Sequence, residues 1–202
     1  MNFRHEREEV LNTAREMFAQ GLVVGTWGNV SVRLPDAEGI VITPSGMDYA
    51  RLTPEDMVIV DMAGNKLWGE WKPSVEVPMH LAIYQGRPDV GAIVHVHSVA
   101  ASSFAVAGIS IPAVLEETVH LIGGPVQVAA YAPYGTHRLA QQAVAALGQN
   151  NAVLLANHGL VGVGATAASA LRACQVAEKT ARVVIYARIL ESGLKGRSLV
   201  SE

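Results

Sequence analysis

The chain has 202 residues, half of them hydrophobic and only 16% charged, with a net charge of −3 at neutral pH. That balance offers no basic footprint, which argues against nucleic acid as a partner. It also leaves little charge to cover a monomer's surface, which argues for burial against further copies of the chain. Cys174 is the single cysteine. An intrachain disulfide and a cysteine-rich zinc module are therefore excluded, and the chain suits a reducing cytoplasm.

The charged start, MNFRHEREEV, has no apolar run and does not read as a signal peptide. From Arg4 a helical stripe of Val10, Leu11, Ala14, Met17 and Phe18 leads to a stop at Gly21. NVSVR (29–33) and GIVIT (39–43) read as paired strands, joined through LPDAE. MVIVD (57–61) is a further strand, turning at AGNK. A helix is predicted over 75–86, capped by Ser74, with Pro78 tolerated in its first turn. GAIVHVHSV (91–99) is short and β-branched, and reads as a buried strand. There follow a helix from about Ser98, a proline-bounded segment at 111–114, a strand over 126–131 and an alanine-rich helix over 135–148. The runs AVLLA and LVGVG flank Asn157-His158-Gly159, and a long helix is predicted over 166–191. Residues 90–115 and 139–171 contain no Asp, Glu, Lys or Arg. Polar, glycine and proline breaks leave neither with about 18 continuous apolar residues, so buried core is expected rather than membrane spans. Length and the lack of repeats or linkers predict one α/β domain over 1–202, with helices around a mixed or largely antiparallel sheet.

Two histidines lie one residue apart in the 91–99 strand. On a strand, residues two apart share a face. Ile93, His95 and His97 then face one way, and Ala92, Val94 and Val96 the other. A pair of imidazoles needs further ligands to hold a metal. His158, at a glycine turn between apolar runs, is the candidate third. Glu76, in the first turn of its predicted helix, is the candidate fourth. Three neutral imidazoles and a carboxylate suit zinc or a similar divalent ion. A carboxylate in that set can also act as a base. The alternative for each histidine is a hydrogen-bonded core residue, and for Glu76 a plain helix-terminal carboxylate. His80, four residues after Glu76, is placed to support the set rather than to ligate. Two glycine turns, GTWGN (25–29) and TPSG (43–46), together with Ser74, present hydroxyls and N–H groups that can cradle a phosphate. An ordinary tight turn is the alternative there.

The stretches GTWGNVSVR, ITPSG, KPSVEVPMHLAIYQGRPDVGAIVHVHS, IPA and LLANHGL, taken in that order, resemble the class II aldolase/adducin family, in particular its fuculose-phosphate aldolase-like members. The resemblance covers about residues 5–190 and leaves a short tail over 193–202. It implies a three-layer α/β/α domain around a largely antiparallel mixed sheet, and a homotetramer with sites at subunit interfaces. It implies that His95, His97 and His158 ligate zinc, or another divalent metal such as Mn, Co, Fe or Ni. Glu76 falls on the catalytic carboxylate, which also ligates the metal. Thr26, Asn29, Thr43, Ser45, Gly46 and Ser74 fall on or near the pocket for the substrate phosphate. The implied reaction is reversible cleavage of a ketose 1-phosphate to dihydroxyacetone phosphate and an aldehyde. Three positions depart from the pattern. Val75 stands where the family has a second serine, Glu116 falls near the place of a tyrosine on the aldehyde side, and the chain stops at Glu202 without a longer closing segment. The resemblance is thus also compatible with a different aldehyde, with a decarboxylase of phosphorylated sugar acids, or with a sugar-phosphate 4-epimerase. The epimerases typically carry aspartate at the Glu76 position. A non-catalytic adducin-like scaffold would have lost the metal ligands, and this chain keeps them.

Overall fold

Eight short runs of β-branched and aliphatic residues pair into a single mixed sheet in the computed structural model, which describes residues 3–35 and 38–194. The strands are β1 (Asn29–Arg33), β2 (Gly39–Ile42), β3 (Val58–Asp61), β4 (Lys66–Trp68), β5 (Ala92–Val96), β6 (Gln127–Ala129), β7 (Ala152–Leu155) and β8 (Gly159–Gly164). Their order across the sheet is β4-β3-β2-β1-β5-β8-β7-β6. Every neighbouring pair is antiparallel except β6 and β7. Six α-helices cover the two faces: α1 (Arg4–Ala19), α2 (Val77–Gly86), α3 (Val99–Ala107), α4 (Glu116–Ile122), α5 (His137–Leu147) and α6 (Ala167–Leu194).

The period-two alternation of the strands divides the core into two sheets of side chains. Ala92, Val94 and Val96 of β5 point into a core shared with α1, α3 and α6. Ile93 points the other way, into a core with Val161, Val163, α2 and α5. The result is the expected three-layer α/β/α arrangement. It also places His95, which alternates with Val94 and Val96, on the α2 side of a central strand. No helix among the described residues is long and apolar enough to cross a membrane.

Several boundaries differ from the sequence expectations. The helix expected from residue 75 begins at Val77, and Glu76 rather than Ser74 occupies its cap position. The cause is a separate turn. Val77 N–H bonds the Ser74 carbonyl, and the helical ladder starts with His80 N–H to the carbonyl of Glu76. α5 starts at His137 because the Thr136 hydroxyl accepts from Leu139 N–H and caps it there. β6 is only three residues long, and Phe18 lies half out of the core against Tyr49 instead of joining the stripe of α1. α6 runs to Leu194, into the stretch expected as tail, and residues 195–202 lie outside the described residues. β4 and α4 had no counterpart in the sequence reading.

Candidate active site

Four elements deliver side chains to one end of β5. Asn29 of β1 pairs directly with His95 of β5. His97 lies just past the end of β5, with its N–H bonded to the Leu22 carbonyl at 3.1 Å. His158 sits in the two-strand turn between β7 and β8, where Asn157 adopts a left-handed backbone, φ 57°, a conformation that asparagine tolerates well. Glu76 precedes α2. A glycine after His158 is required: a Cβ on Gly159 would lie 2.5 Å from the Val96 carbonyl and 3.1 Å from ring carbons of both His95 and His97.

The imidazoles of His95, His97 and His158 form a triangle with ring centroids 4.8, 4.8 and 5.0 Å apart. One nitrogen from each can meet the others within 4.8 Å, a spacing that could hold a metal ion. The Nε2 atoms of His95 and His97 are 2.9 Å apart. Glu76 Oε2 lies 3.2 Å from His95 Nε2, and Oε1 lies 3.6 Å from His158 Nε2. His95 Nδ1 is 3.1 Å from the Leu160 carbonyl. A carbonyl only accepts, so Nδ1 carries the proton and the Nε2 lone pair faces the other histidines. Burial, then the neighbouring His97, pushes the pKa of His95 down to about 3. Burial chiefly lowers His158 to about 4, and lowers His97 as well. All three rings are therefore neutral near pH 7, the state in which imidazole ligates metal. Glu76 is buried, and its Oε1 has no hydrogen-bond partner among the described residues. Three converging neutral imidazoles beside an unsatisfied buried carboxylate oxygen fit a divalent cation.

Two cavities flank this cluster. One, about 290 Å³, is lined by Thr26, Gly28, Asn29, Ser45, Gly46, Ser74 and Glu76. The other, about 580 Å³, is walled by Val24, Trp27, Tyr131 and Tyr134 and reaches His97 and His158. Five of the six residues expected around a phosphate thus line the polar cavity. Thr43 is buried beneath it, its hydroxyl taking the Val30 N–H. Asn29 lines the cavity, but its amide is engaged with Glu76 and His80. Val75 joins that wall, and Tyr49 O–H steadies the 25–29 turn through the Gly28 carbonyl at 2.6 Å. Glu116 is exposed at the start of α4 and lines neither cavity.

The sequence matches the class II aldolase and adducin N-terminal domain over residues 8–185. The chain belongs to this family. It is 40% identical over 161 residues to a 5-deoxy-D-ribulose 1-phosphate aldolase of Bacillus thuringiensis, covering 80% of this chain and 75% of the relative. It is 39% identical over 153 residues to an L-fuculose phosphate aldolase of Escherichia coli, covering 76% and 70%. Among solved structures, an L-fuculose 1-phosphate aldolase superposes with a TM-score of 0.88 at 33% identity, covering 98% of this chain and 91% of its own. The chain is accordingly an enzyme, a lyase of the class II aldolase kind. The features that the sequence reading missed are Ser31, Tyr84 and the aromatic wall. Asn29, Ser31 and Arg33 alternate with the core residues Val30 and Val32, and that alternation was the available signal.

Proposed function

We propose that the protein is a zinc-dependent aldolase that reversibly cleaves a ketose 1-phosphate to dihydroxyacetone phosphate and a small aldehyde. The observation that carries this reading is the convergence of three neutral imidazoles on a buried carboxylate whose Oε1 lacks a partner. His95, His97 and His158 would hold the ion together with Glu76. A divalent ion bound there supplies Lewis acidity toward the carbonyl and hydroxyl oxygens of the ketose. Thr26, Asn29, Ser45, Gly46 and Ser74 surround the phosphate from the polar cavity, with Thr43 supporting the turn from below. In cleavage the C3–C4 bond breaks, the C4 hydroxyl gives its proton to water as C4 becomes the aldehyde, water supplies a proton to Glu76, and C3 gains a proton. Glu76 delivers that proton, and takes it away in the reverse direction. The names of the relatives, aldolases for 5-deoxyribulose and fuculose phosphates, support a phosphorylated ketose. The reading takes residues 1–202 as one domain, working as a cytoplasmic homotetramer. The test is a screen of ketose 1-phosphates and phosphorylated sugar acids, with dihydroxyacetone phosphate and carbon dioxide both followed and metal content measured. Dihydroxyacetone phosphate released in step with ketose loss supports the reading. Carbon dioxide release, or full activity in metal-free protein, overturns it.

A further inference from the structure

Beneath the cluster runs a line of five buried polar side chains. Glu76 Oε2 is 2.7 Å from Asn29 Nδ2, Asn29 Oδ1 is 2.5 Å from His80 Nε2, His80 Nδ1 is 2.6 Å from Ser31 Oγ, and Ser31 Oγ is 2.9 Å from the Tyr84 hydroxyl. All five residues are at most 4% exposed. They come from three places: the residue ahead of α2, α2 itself and β1. His80 meets the cluster only through Asn29, by way of the Glu76 carboxylate.

Chemistry gives the line one direction. The Asn29 NH2 donates to Glu76 Oε2, and its carbonyl oxygen, which only accepts, faces His80. His80 Nε2 must then be the protonated nitrogen. Burial keeps the ring neutral, with its pKa pushed down to about 3, so Nδ1 accepts from Ser31. The single Ser31 proton is thereby used, and the Tyr84 hydroxyl donates to Ser31. Every donor points toward Glu76 Oε2. His80 is thus the opposite tautomer to His95, and each of its nitrogens is occupied by a hydrogen bond.

We infer that His80 is a positioning residue: through Asn29 it holds Glu76 Oε2, so that Oε1, which would face the ion in the absence of substrate, is the oxygen that exchanges a proton once substrate is bound. This rests on Glu76 being the proton carrier proposed above. Without the His80 N–H, the Asn29 amide is free to turn over. Its carbonyl would then face the carboxylate, and Glu76 would leave its place.

The experiment uses the metal-loaded, full-length protein and three variants. His80→Leu breaks the line, His80→Gln can restore a donor to Asn29 and an acceptor for Ser31, and Ser31→Ala removes the donor to Nδ1. The readouts are bound metal, kcat, KM and the rate at which dihydroxyacetone phosphate alone exchanges its α-hydrogen with deuterium oxide. For His80→Leu, kcat and exchange are expected to fall together by about 10- to 100-fold, the usual effect of losing an outer-sphere partner. Metal should stay near the wild-type level, because three histidines with an open position are a common zinc set, and KM should change far less than kcat. His80→Gln should recover most of the loss. Should His80→Leu fail to fold, Ser31→Ala carries the test, with a smaller drop of the same kind expected. An unchanged kcat, or equal losses of metal, KM and kcat with no rescue by glutamine, would overturn the inference. A separate readout needs no substrate: nitrogen NMR of ring-labelled histidine, with the His80 signals assigned by their loss in His80→Gln. A neutral Nε2–H ring supports the line, and an Nδ1–H or cationic ring overturns it. If wild-type protein neither cleaves a ketose phosphate nor exchanges dihydroxyacetone phosphate, the proposed function fails, and the NMR result still decides the hydrogen-bond line.

Discussion

His95 and His80 are both fully buried imidazoles, and their hydrogen bonds give them opposite tautomers. The distinction cannot be read from the letters, since it depends on which carbonyl or amide each nitrogen meets. That His95 and His97 share one face was legible, because they sit at strand spacing in an apolar run. A division of labour follows between ligand and proton carrier. Glu76→Gln should keep the fold and most of the metal, since three histidines and an open position are a common zinc set. Its turnover should drop by ~10²–10⁴-fold, the usual worth of a positioned base. His95→Ala should lose the metal outright, which metal analysis after gel filtration will show. Wild-type activity in Glu76→Gln would move the proton to another group. Glu116 and Glu117 would be the first to test, although Glu117 pairs with Lys179 and Glu116 lines neither cavity.

At the level of elements, the site depends on how closely β8 approaches β5. Gly159 lies against the Val96 carbonyl and both strand histidines. Gly159→Ala should therefore push His95 and His97 apart and weaken metal binding by at least about tenfold, while the outer strands stay paired. A competition titration with a chelator measures this, and unchanged affinity would mean that the turn simply shifts. α1 was legible because its burial repeats along the sequence, and β5 because a short β-branched run is buried throughout. α4 was not, because its seven residues are held from outside, by Thr118 meeting Thr180 of α6 at 2.7 Å. β4 was hidden for a similar reason: KLW is largely exposed, and its pairing follows from Asp61, whose carboxylate accepts from the N–H groups of Ala63 and Asn65 and shapes the turn. The start of α2 was misplaced because Ser74 caps a preceding turn, and local sequence does not distinguish that turn from the helix itself.

For the molecule as a whole, buried neutral histidines tie stability to pH. His80 has a folded pKa of about 3, against about 6.5 in an unfolded chain. Between those values the unfolded state binds more protons, so stability is full above about pH 6.5 and falls as pH is lowered toward 3. His80 alone should account for roughly 1–2 kcal/mol between pH 7 and pH 5. Urea midpoints at the two pH values check this, and equal midpoints would mean that the ring is protonated in the fold. The oligomer is a second test at this scale. Large apolar side chains stay exposed on this chain, among them Tyr186, Ile189 and Leu190 of α6. Light scattering at micromolar concentration should therefore show a species near four times the 21.4 kDa chain.

The central place of β5 also sets an order of events in time. Its partner residues are remote along the chain: His95 meets Leu160 across 65 positions and pairs with Asn29 at the start of β1. The hairpins at the β1–β4 edge close short loops and can form early. β5 gains its neighbours only when both halves of the chain have been brought together, at the larger entropic cost of closing long loops. A nascent chain that ends before β7 holds two of the three histidines and lacks the strand whose Leu160 carbonyl sets His95's proton. An ion held by the three histidines would then be captured only at the end of folding, by a nearly finished fold.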